Sequence, residues 1–288
     1  MTYRGRFAPS PTGSLHAGSL VAAVASWLCA RYAGGEWLLR MEDIDPPREV
    51  PGSAASILAA LPAFGLRADA PVLLQSQRIA AYDVAFATLR EAGLVFACWC
   101  SRNDLAASGD MHRDGHCVAR PVANRRPAWR MRVPDIDVSF DDALQGPQRQ
   151  SLRESAGDFV IRRVEGFYSY QLACVVDDAF QGITDVVRGA DLLDSTARQI
   201  WLQRCLDLPM PTYRHLPLVM DAEGHKLSKS TQAFPVDATD PLPALRFALD
   251  FLNVPTPAQA IDADALMTRA LEDFDPALLP HCSGHSSS

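Results

Sequence analysis

The stretch from Arg6 to Ser19, RFAPSPTGSLHAGS, contains the features that decide the fold. A short apolar strand over Tyr3–Pro9 is predicted to enter a turn stiffened by two prolines, and a helix is predicted over Leu15–Ala33. The start of such a helix offers unpaired N–H groups and the positive end of its dipole to a phosphate. The pattern is neither a P-loop nor a GxGxxG fingerprint. Taken alone, a proline-rich turn with an ordinary surface histidine explains it equally well.

Three residues inside this stretch have direct chemical uses. Gly13 and Gly18 lack side chains and would let a nucleotide approach the backbone closely. His16 stands at the start of the helix, where its ring could donate to phosphate oxygens as charge builds in a transition state. We therefore interpret the segment as a candidate nucleotide site.

The segments that follow alternate between short apolar strands and helices. A strand is predicted over Trp37–Met41, and helices over Ser53–Phe64 and Ser76–Ala92. Strands that alternate with helices are typical of a parallel α/β sheet. Near Val95 the pattern changes to a segment with three cysteines and two histidines in little regular structure. The predicted fold class is therefore α/β, a doubly wound parallel sheet interrupted by an inserted α+β subdomain and followed by a short helical C-terminal region.

Composition and charge narrow the classes of function. Hydrophobic residues make up 48% and charged residues 21% of the 288 residues, as in ordinary soluble globular proteins. The net charge of −7 excludes a general basic coat, so contact with nucleic acid must be local. The N-terminus lacks a signal-peptide core and the longest apolar stretch, Ser19–Ala30, is too short to span a bilayer, which predicts a cytoplasmic protein. A local basic cluster, equally explained as a solvated strand face, comprises Arg125, Arg126, Arg130 and Arg132.

Lysine is almost absent from the chain, which otherwise uses arginine for positive charge. Of 27 basic residues only two are lysines, Lys226 and Lys229, in the segment KLSKS that follows a strand predicted over Leu216–Met220. A compact ammonium suits a single-point donor that follows a phosphate through a reaction. The segment is thus a candidate clamp for a triphosphate, and a solvated charged loop is the alternative.

These two phosphate-binding candidates together resemble the two signature motifs of class I aminoacyl-tRNA synthetases. The first is Pro9–Gly13 with His16 and Gly18, and the second is Lys226–Ser230. Flanking segments narrow the resemblance to glutamyl-tRNA synthetases, and the match covers most of the chain. The narrowing segments are Arg6–Ser10, Leu39–Asp45, Tyr170–Asp178 and Gly182–Gly189.

The chain departs from that family at two points. Ala17 and Ser19 flank the key histidine and glycine where the family often has bulkier or glycine residues. Only 58 residues follow Ser230 (288 − 230 = 58), whereas a full glutamyl-tRNA synthetase carries a long helical anticodon-binding region there. The chain therefore resembles the truncated paralogues, the glutamyl-Q tRNA(Asp) synthetase family.

The resemblance implies ATP-dependent activation of L-glutamate to glutamyl-adenylate with Mg²⁺, and transfer to the queuosine base in the anticodon loop of tRNA(Asp). Two alternatives stay open: a minimal glutamyl-tRNA synthetase that charges an acceptor end, and a glutamate- or adenylate-binding paralogue without transfer. We expect a monomer with no membrane partner. The implied division is 1–94 and 161–236 for the halves of a Rossmann-like catalytic domain, 95–160 for the insertion, and 237–288 for C-terminal helices and a disordered tail.

The resemblance also implies a set of site residues. Two cations and one anion would complement the two carboxylates and the ammonium of glutamate, and arginine suits bidentate pairing with carboxylates. Which arginine takes which carboxylate stays open. The implied glutamate-binding residues are Arg6, Ala8, Ser10, Glu42, Tyr170 and Arg188. The implied ATP-binding residues are His16, Gly18, Lys226, Ser228 and Lys229, of which His16, Lys226 and Lys229 would be catalytic.

Cysteines at the start of the insertion form a candidate zinc site. Three thiols, from Cys98, Cys100 and Cys117, with one more ligand would give a closed tetrahedral site for one structural Zn²⁺. The related family has a tyrosine four residues before the last cysteine, where this chain has an arginine that cannot bind a metal as a cation. We expect His112 as the fourth ligand, with His116 as second choice; a degenerate site without metal is the alternative.

Overall fold

Ten strands and nine α-helices make up the regular structure of the residues that the computed structural model describes, which are 2–105, 111–220, 236–257 and 262–282. The strands are β1 (Arg4–Phe7), β2 (Glu36–Met41), β3 (Leu73–Leu74), β4 (Val95–Cys98), β5 (Ala128–Met131), β6 (Asp137–Asp142), β7 (Gly146–Ser151), β8 (Val160–Arg162), β9 (Asp185–Gly189) and β10 (Thr212–Leu216). The helices are α1 (Ala17–Tyr32), α2 (Ser53–Ala60), α3 (Ile79–Glu91), α4 (Arg102–Leu105), α5 (Leu152–Ser155), α6 (Tyr170–Phe180), α7 (Leu193–Cys205), α8 (Pro241–Phe251) and α9 (Ala263–Glu272).

Seven of these strands form one sheet in the order β3-β2-β1-β9-β10-β6-β7. The pairs from β3 to β6 are parallel, and β7 adds an antiparallel edge. From β1 the chain winds outward to β2 and β3, and it later returns to the other side of β1 with β9 and β10. This order confirms the predicted doubly wound sheet and puts its switch point between β1 and β9, where a crevice forms outside the carboxyl ends of the strands.

Apolar cores cover both faces of the sheet. Alternate residues of a strand point to opposite faces, so Trp37 and Leu39 of β2 pack in the core formed with α1, α8 and α9, whereas Leu38 packs with α3, α6 and α7. Burial on both faces explains why β2 and β9 carry consecutive apolar residues, Trp37–Leu39 and Val186–Val187. It also makes the charged residues within those strands notable, because each needs a partner.

The insertion contains a second sheet of three antiparallel strands in the order β4-β5-β8. The hairpin of β6 and β7 lies inside the predicted range 95–160, yet it extends the main sheet through a parallel bridge between Tyr213 and Asp142. The segment predicted as the insertion therefore also supplies two strands to the main sheet. β7 was not predicted, because its polar sequence GPQRQS lacks an apolar alternation.

Two local predictions are also wrong. The strand predicted over Leu216–Met220 is β10, which ends at Leu216, where Pro217 follows and cannot donate to a ladder. The helix predicted from Ser76 begins only at Ile79 as α3, and the Ser76 hydroxyl donates to Asp43 Oδ2 (2.6 Å) from a 3₁₀ turn. None of the helices in the described ranges is long and apolar enough to cross a membrane.

Candidate active site

A cavity of about 420 Å³ opens at the carboxyl ends of β1, β9 and β10. It lies at the switch point, where open α/β sheets bind their ligands. The predicted partners Lys226, Ser228 and Lys229 lie outside the described residues, so their approach to this cavity stays a prediction. The cavity is lined by every other predicted glutamate- or ATP-binding residue: Arg6, Ala8, Ser10, His16, Gly18, Glu42, Tyr170 and Arg188.

His16 caps the N-terminus of α1 at one end of the cavity. Its Nδ1 accepts the backbone N–H of Ser19 (3.2 Å), and its Nε2 lies 2.8 Å from the Ser19 hydroxyl. Because Nδ1 accepts, a neutral ring carries its proton on Nε2. A Cβ at Gly18 would meet the imidazole at 3.4 Å, an ordinary van der Waals contact, so the ring lies directly beside this glycine. The ring is thus held at the helix start, where the dipole favours an anion.

Ser53 of α2 anchors the loop that leads to this cap. Its hydroxyl donates to the carbonyl oxygen of Gly13 (2.5 Å) and accepts the N–H of the same residue (3.0 Å). Gly13 has φ 135°, a left-handed backbone conformation that favours glycine. The loop is therefore fixed by a buried side chain on a separate helix.

Arg6 at the end of β1 is paired with a buried carboxylate. Its Nε donates to Oδ1 of Asp178 (3.2 Å), and Arg40 Nη1 donates to the same oxygen (2.7 Å). Burial alone would raise the pKa of Asp178, but the charges of Arg40 and Arg6 lower it to about 2. Asp178 is thus a carboxylate shared by two guanidinium groups.

Glu42 lies on the cavity side of this group. Arg40 Nη2 donates to Glu42 Oε1 over a long 3.4 Å. Burial raises the pKa of Glu42, against the lowering effect of the charges on Arg40 and Arg6. Such a carboxyl group would be stabilised as an anion by an added cation, such as an ammonium group in the cavity.

Arg188 at the end of β9 differs, because its hydrogen-bond partners are neutral. It is 5% exposed, and no carboxylate in the described residues lies within 4 Å of its guanidinium. The acceptors are His215 Nε2 (2.9 Å), Tyr170 Oη (3.1 Å), Gln199 Oε1 (2.8 Å), Thr196 Oγ1 (2.9 Å) and the Leu192 carbonyl (3.4 Å). Burial raises the pKa of Tyr170, which therefore stays a phenol and can donate its own O–H while it accepts from Arg188.

Sequence reasoning missed four charged or titratable residues of this site: Arg40, Asp142, Asp178 and His215. All four are buried, and Arg40 lies within an otherwise apolar segment, Leu38–Met41. A charge inside a buried strand requires a partner, so this signal was present. The sequence does not say which partner it is, since Arg40 and Asp178 are 138 residues apart.

Cys98, Cys100 and Cys117 come together in the insertion, with their sulfur atoms all within 4.8 Å of one another. Burial opposes ionisation of the Cys117 thiol, but hydrogen bonds from the Trp99 N–H (3.1 Å) and from neighbouring thiols lower its pKa. Three thiols in reach of one point suit a soft tetrahedral ion.

The predicted fourth ligands do not join this cluster. His112 is buried against Phe96 with its Nδ1 2.9 Å from Asp158 Oδ2, and His116 Nδ1 lies 2.7 Å from the carbonyl oxygen of Asp114. In the described residues, the potential metal-binding group contains the three cysteines alone. No ring nitrogen of either histidine lies in the group of donor atoms within 4.8 Å of one another, so a histidine as fourth ligand stays a prediction.

The predicted basic cluster is divided by its contacts. Arg130 donates to the carbonyl oxygen of Asp158 (2.8 Å), and Arg132 donates to that of Gly93 (3.0 Å). Arg125 and Arg126 are exposed. Arg130 thus stabilises the insertion from within, whereas Arg132 joins it to the turn before β4 and is exposed like Arg125 and Arg126.

The catalytic-domain family "tRNA synthetases class I (E and Q)" matches residues 2–249. Curated relatives include glutamyl-Q tRNA(Asp) synthetases from Xanthomonas axonopodis pv. citri, with 54% identity over 96% of this chain and 93% of the relative, and from Burkholderia mallei, with 51% identity over 98% and 99%. The matched region thus covers most of the length of both relatives.

Solved structures of similar fold include a glutamate-tRNA synthetase from Elizabethkingia anophelis, with a TM-score of 0.78, 26% identity, and coverage of 98% of this chain and 67% of the other. A glutamate tRNA ligase from Elizabethkingia meningosepticum, in complex with its amino acid, has a TM-score of 0.79 and 25% identity. The match covers 99% of this chain and 66% of the ligase. The chain therefore belongs to the class I aminoacyl-tRNA synthetases of the glutamyl and glutaminyl type, and within them to the glutamyl-Q tRNA(Asp) synthetase family.

Proposed function

We propose that this enzyme activates L-glutamate with ATP and transfers it to the queuosine base in the anticodon loop of tRNA(Asp). Membership of the family supports a ligase that uses ATP with Mg²⁺, glutamate and a tRNA. The observation that carries the glutamate assignment is Arg188, a buried cation at the cavity that has neutral partners and therefore favours an anion.

The cavity offers matching groups to each charge of glutamate. A carboxylate would replace the longest Arg188 contact, that of Nη2 with the Leu192 carbonyl, and would accept the free O–H of Tyr170. The ammonium group would lie against Glu42, whose anionic form it stabilises. Arg6 contributes positive charge, although Asp178 offsets part of it. Ala8 and Ser10, which follow β1, line the same cavity, and we propose that they complete the glutamate pocket.

Activation requires an attack by the α-carboxylate oxygen on the α-phosphorus of ATP. The new O–P bond forms as the bond to pyrophosphate breaks, and pyrophosphate leaves with that electron pair. We propose that His16 at the start of α1 stabilises the phosphate charge, with Gly18 directly beside its ring. Lys226, Ser228 and Lys229 are proposed to complete the phosphate contacts. The adenylate then passes its glutamyl group to a queuosine hydroxyl, and AMP leaves.

We propose one structural Zn²⁺ on Cys98, Cys100 and Cys117. The three sulfur atoms fit the donor type and spacing of such a site. When bound, zinc would cross-link β4 to the later part of the insertion. Metal analysis of the purified protein is expected to give one zinc per chain, and the Cys117→Ser variant should lose it. Protein that contains no zinc after purification would contradict the proposed zinc site.

The decisive test of the acceptor uses labelled glutamate, ATP and two preparations of tRNA(Asp), one with queuosine and one with guanosine in its place. We expect label on the queuosine-containing tRNA alone. Equal label on both, or label on tRNA(Glu), would mean that the enzyme charges an acceptor end. Glutamate binding without any label on RNA would favour the non-transferring paralogue.

ATP and tRNA as partners also lead us to propose a cytoplasmic enzyme. We further propose that the enzyme is a monomer, which gel filtration would test.

A further inference from the structure

Asp142 and His215 form a buried chain of hydrogen bonds that ends on Arg188. Asp142 at the end of β6 lies with its Oδ2 2.5 Å from His215 Nδ1, and Arg188 Nε donates to His215 Nε2 (2.9 Å). His215 is fully buried and Asp142 is 2% exposed, and neither lines the cavity. We propose that Asp142 and His215 are positioning residues that hold the Arg188 guanidinium for a substrate carboxylate without cancelling its charge, an inference that rests on the proposed function.

The carboxylate of Asp142 fixes the tautomer of the histidine. Its Oδ1 already accepts three backbone N–H groups, from Leu144 (3.0 Å), Gln145 (2.9 Å) and His215 (3.2 Å). The carboxylate therefore cannot rotate, and Oδ2 faces the imidazole as an acceptor. Nδ1 must then carry the proton, which leaves Nε2 as the acceptor that Arg188 Nε requires.

A neutral ring between the two charged groups has a definite electrostatic effect. A carboxylate placed directly on Arg188, as Asp178 is placed on Arg6, would offset the cation and weaken its attraction for a substrate. The imidazole accepts the Arg188 Nε–H and keeps the Asp142 carboxylate away from the guanidinium by the width of one ring. Burial lowers the pKa of His215, the Asp142 hydrogen bond raises it, and the Arg188 charge lowers it again, with a net lowering below 6.5. The ring is therefore neutral at pH 7.

Acid is expected to weaken glutamate binding through this histidine. The charged groups that face it are Asp142 from β6, Arg188 from β9 and Arg6 from β1, and the ring of Tyr213 stacks beside it at 6.1 Å. Protonation would turn Nε2 from an acceptor into a donor that opposes the Arg188 N–H. Because the pKa of His215 is lowered, the neutral form predominates at pH 7, and the KM for glutamate should rise as the pH falls through that lowered pKa.

Asp142→Asn tests the tautomer directly. Its amide oxygen would serve the three backbone N–H groups, so its NH₂ would face Nδ1 and force the proton onto Nε2, opposite Arg188. We expect the KM for glutamate in ATP–pyrophosphate exchange to rise about tenfold or more, with the KM for ATP unchanged. In ¹⁵N spectra of histidine-labelled protein, the His215 signal should change from the Nδ1–H to the Nε2–H tautomer.

Two further variants separate positioning from stability. His215→Gln keeps an acceptor oxygen toward Arg188 but cannot titrate, so its KM for glutamate should stay within about threefold of wild type and lose its rise in acid. Tyr213→Phe is the matched control on the same strand: it removes the hydrogen bond with Gln203 (3.2 Å) but keeps the ring. It should lower the melting temperature without changing the KM.

The outcomes distinguish this inference from the proposed function. Wild-type protein without glutamate-dependent exchange would overturn the proposed function itself. Wild-type exchange with an unchanged KM in Asp142→Asn would overturn the positioning pair alone. Equal rises of the KM for glutamate in Asp142→Asn, His215→Gln and Tyr213→Phe would also overturn the positioning pair. They would mean that the pair merely stabilises the fold. If Asp142→Asn fails to fold, the tautomer of His215 in wild-type protein and the pH profile of His215→Gln decide the question.

Discussion

The two arginines at the active-site ends of neighbouring strands are compensated in opposite ways. Arg6 on β1 shares the carboxylate of Asp178 with Arg40, whereas Arg188 on β9 is surrounded by an imidazole, a phenol, an amide, a hydroxyl and a backbone carbonyl. Both cations are buried, so both carry a desolvation cost. At Arg6 the carboxylate of Asp178 offsets the desolvation cost. At Arg188 part of that cost is left for a bound anion to offset. We therefore propose that the pocket combines a structural cation, Arg6, with a binding cation, Arg188.

The largest effect is expected from removing the binding cation. Arg188→Ala should lower kcat/KM for glutamate in ATP–pyrophosphate exchange by about 10³-fold, because a charge-assisted contact with the substrate is lost and its buried acceptors lose their donor. Arg188→Lys should not restore activity, since one ammonium cannot satisfy acceptors arranged around a guanidinium. Exchange within tenfold of wild type in Arg188→Ala would mean that the two arginines have been assigned the wrong roles.

Asp178→Asn should reveal the structural role of the other arginine. Two buried guanidinium groups would lose their carboxylate, and the free energy of unfolding should fall by about 3 kcal/mol. Urea titration at pH 7 measures this. Asp137→Asn, in an exposed pair with Arg149, is the matched control and should change little. A stable Asp178→Asn protein would contradict the structural assignment.

The same carboxylate predicts a pH dependence. The pKa of Asp178 is lowered to about 2 from an ordinary 3.8, so its contribution to stability is complete above pH 4 and is lost as the pH falls toward 2. The stability difference between wild type and Asp178→Asn should therefore shrink over that range. A difference that is constant between pH 5 and pH 2 would show that the Asp178 charge is not the cause.

A smaller effect is expected at the nucleotide end of the cavity. Ser53→Ala would remove both hydrogen bonds to Gly13 and loosen the loop before His16, so the KM for ATP should rise about tenfold with that for glutamate nearly unchanged. Ser56→Ala, on the exposed side of the same helix, is the control. An equal response of both variants would remove the special role of Ser53.

The smallest effect is expected where an arginine is exposed. The Arg149 side chain is 76% exposed in its ion pair with Asp137. Arg149→Ala should change the free energy of unfolding by less than about 0.5 kcal/mol and leave exchange activity unaltered. A larger loss would show that burial does not determine which arginines of this chain matter.

The sequence predicted the sheet and the cavity residues of the site better than the pairing of its buried charges. Apolar periodicity predicted the alternating strands and helices of the sheet, and the resemblance to glutamyl-tRNA synthetases implied the residues that line one cavity, because both signals are read from short local segments. The sharing of Asp178 between Arg6 and Arg40 depends on three elements far apart in sequence, and no local pattern encodes it. The polar strand β7 was missed because edge pairing, not its own pattern, makes it a strand.

A crystal structure of the enzyme with bound L-glutamate tests the contrast between the two arginines most directly. We expect a substrate carboxylate oxygen within hydrogen-bond distance of the Arg188 guanidinium and of Tyr170 Oη, while Arg6 keeps its contact with Asp178 and Arg188 keeps its contact with His215. Glutamate bound with both carboxylates away from Arg188, whose neutral partners are all unchanged, would contradict the assignment of Arg188 as the binding cation.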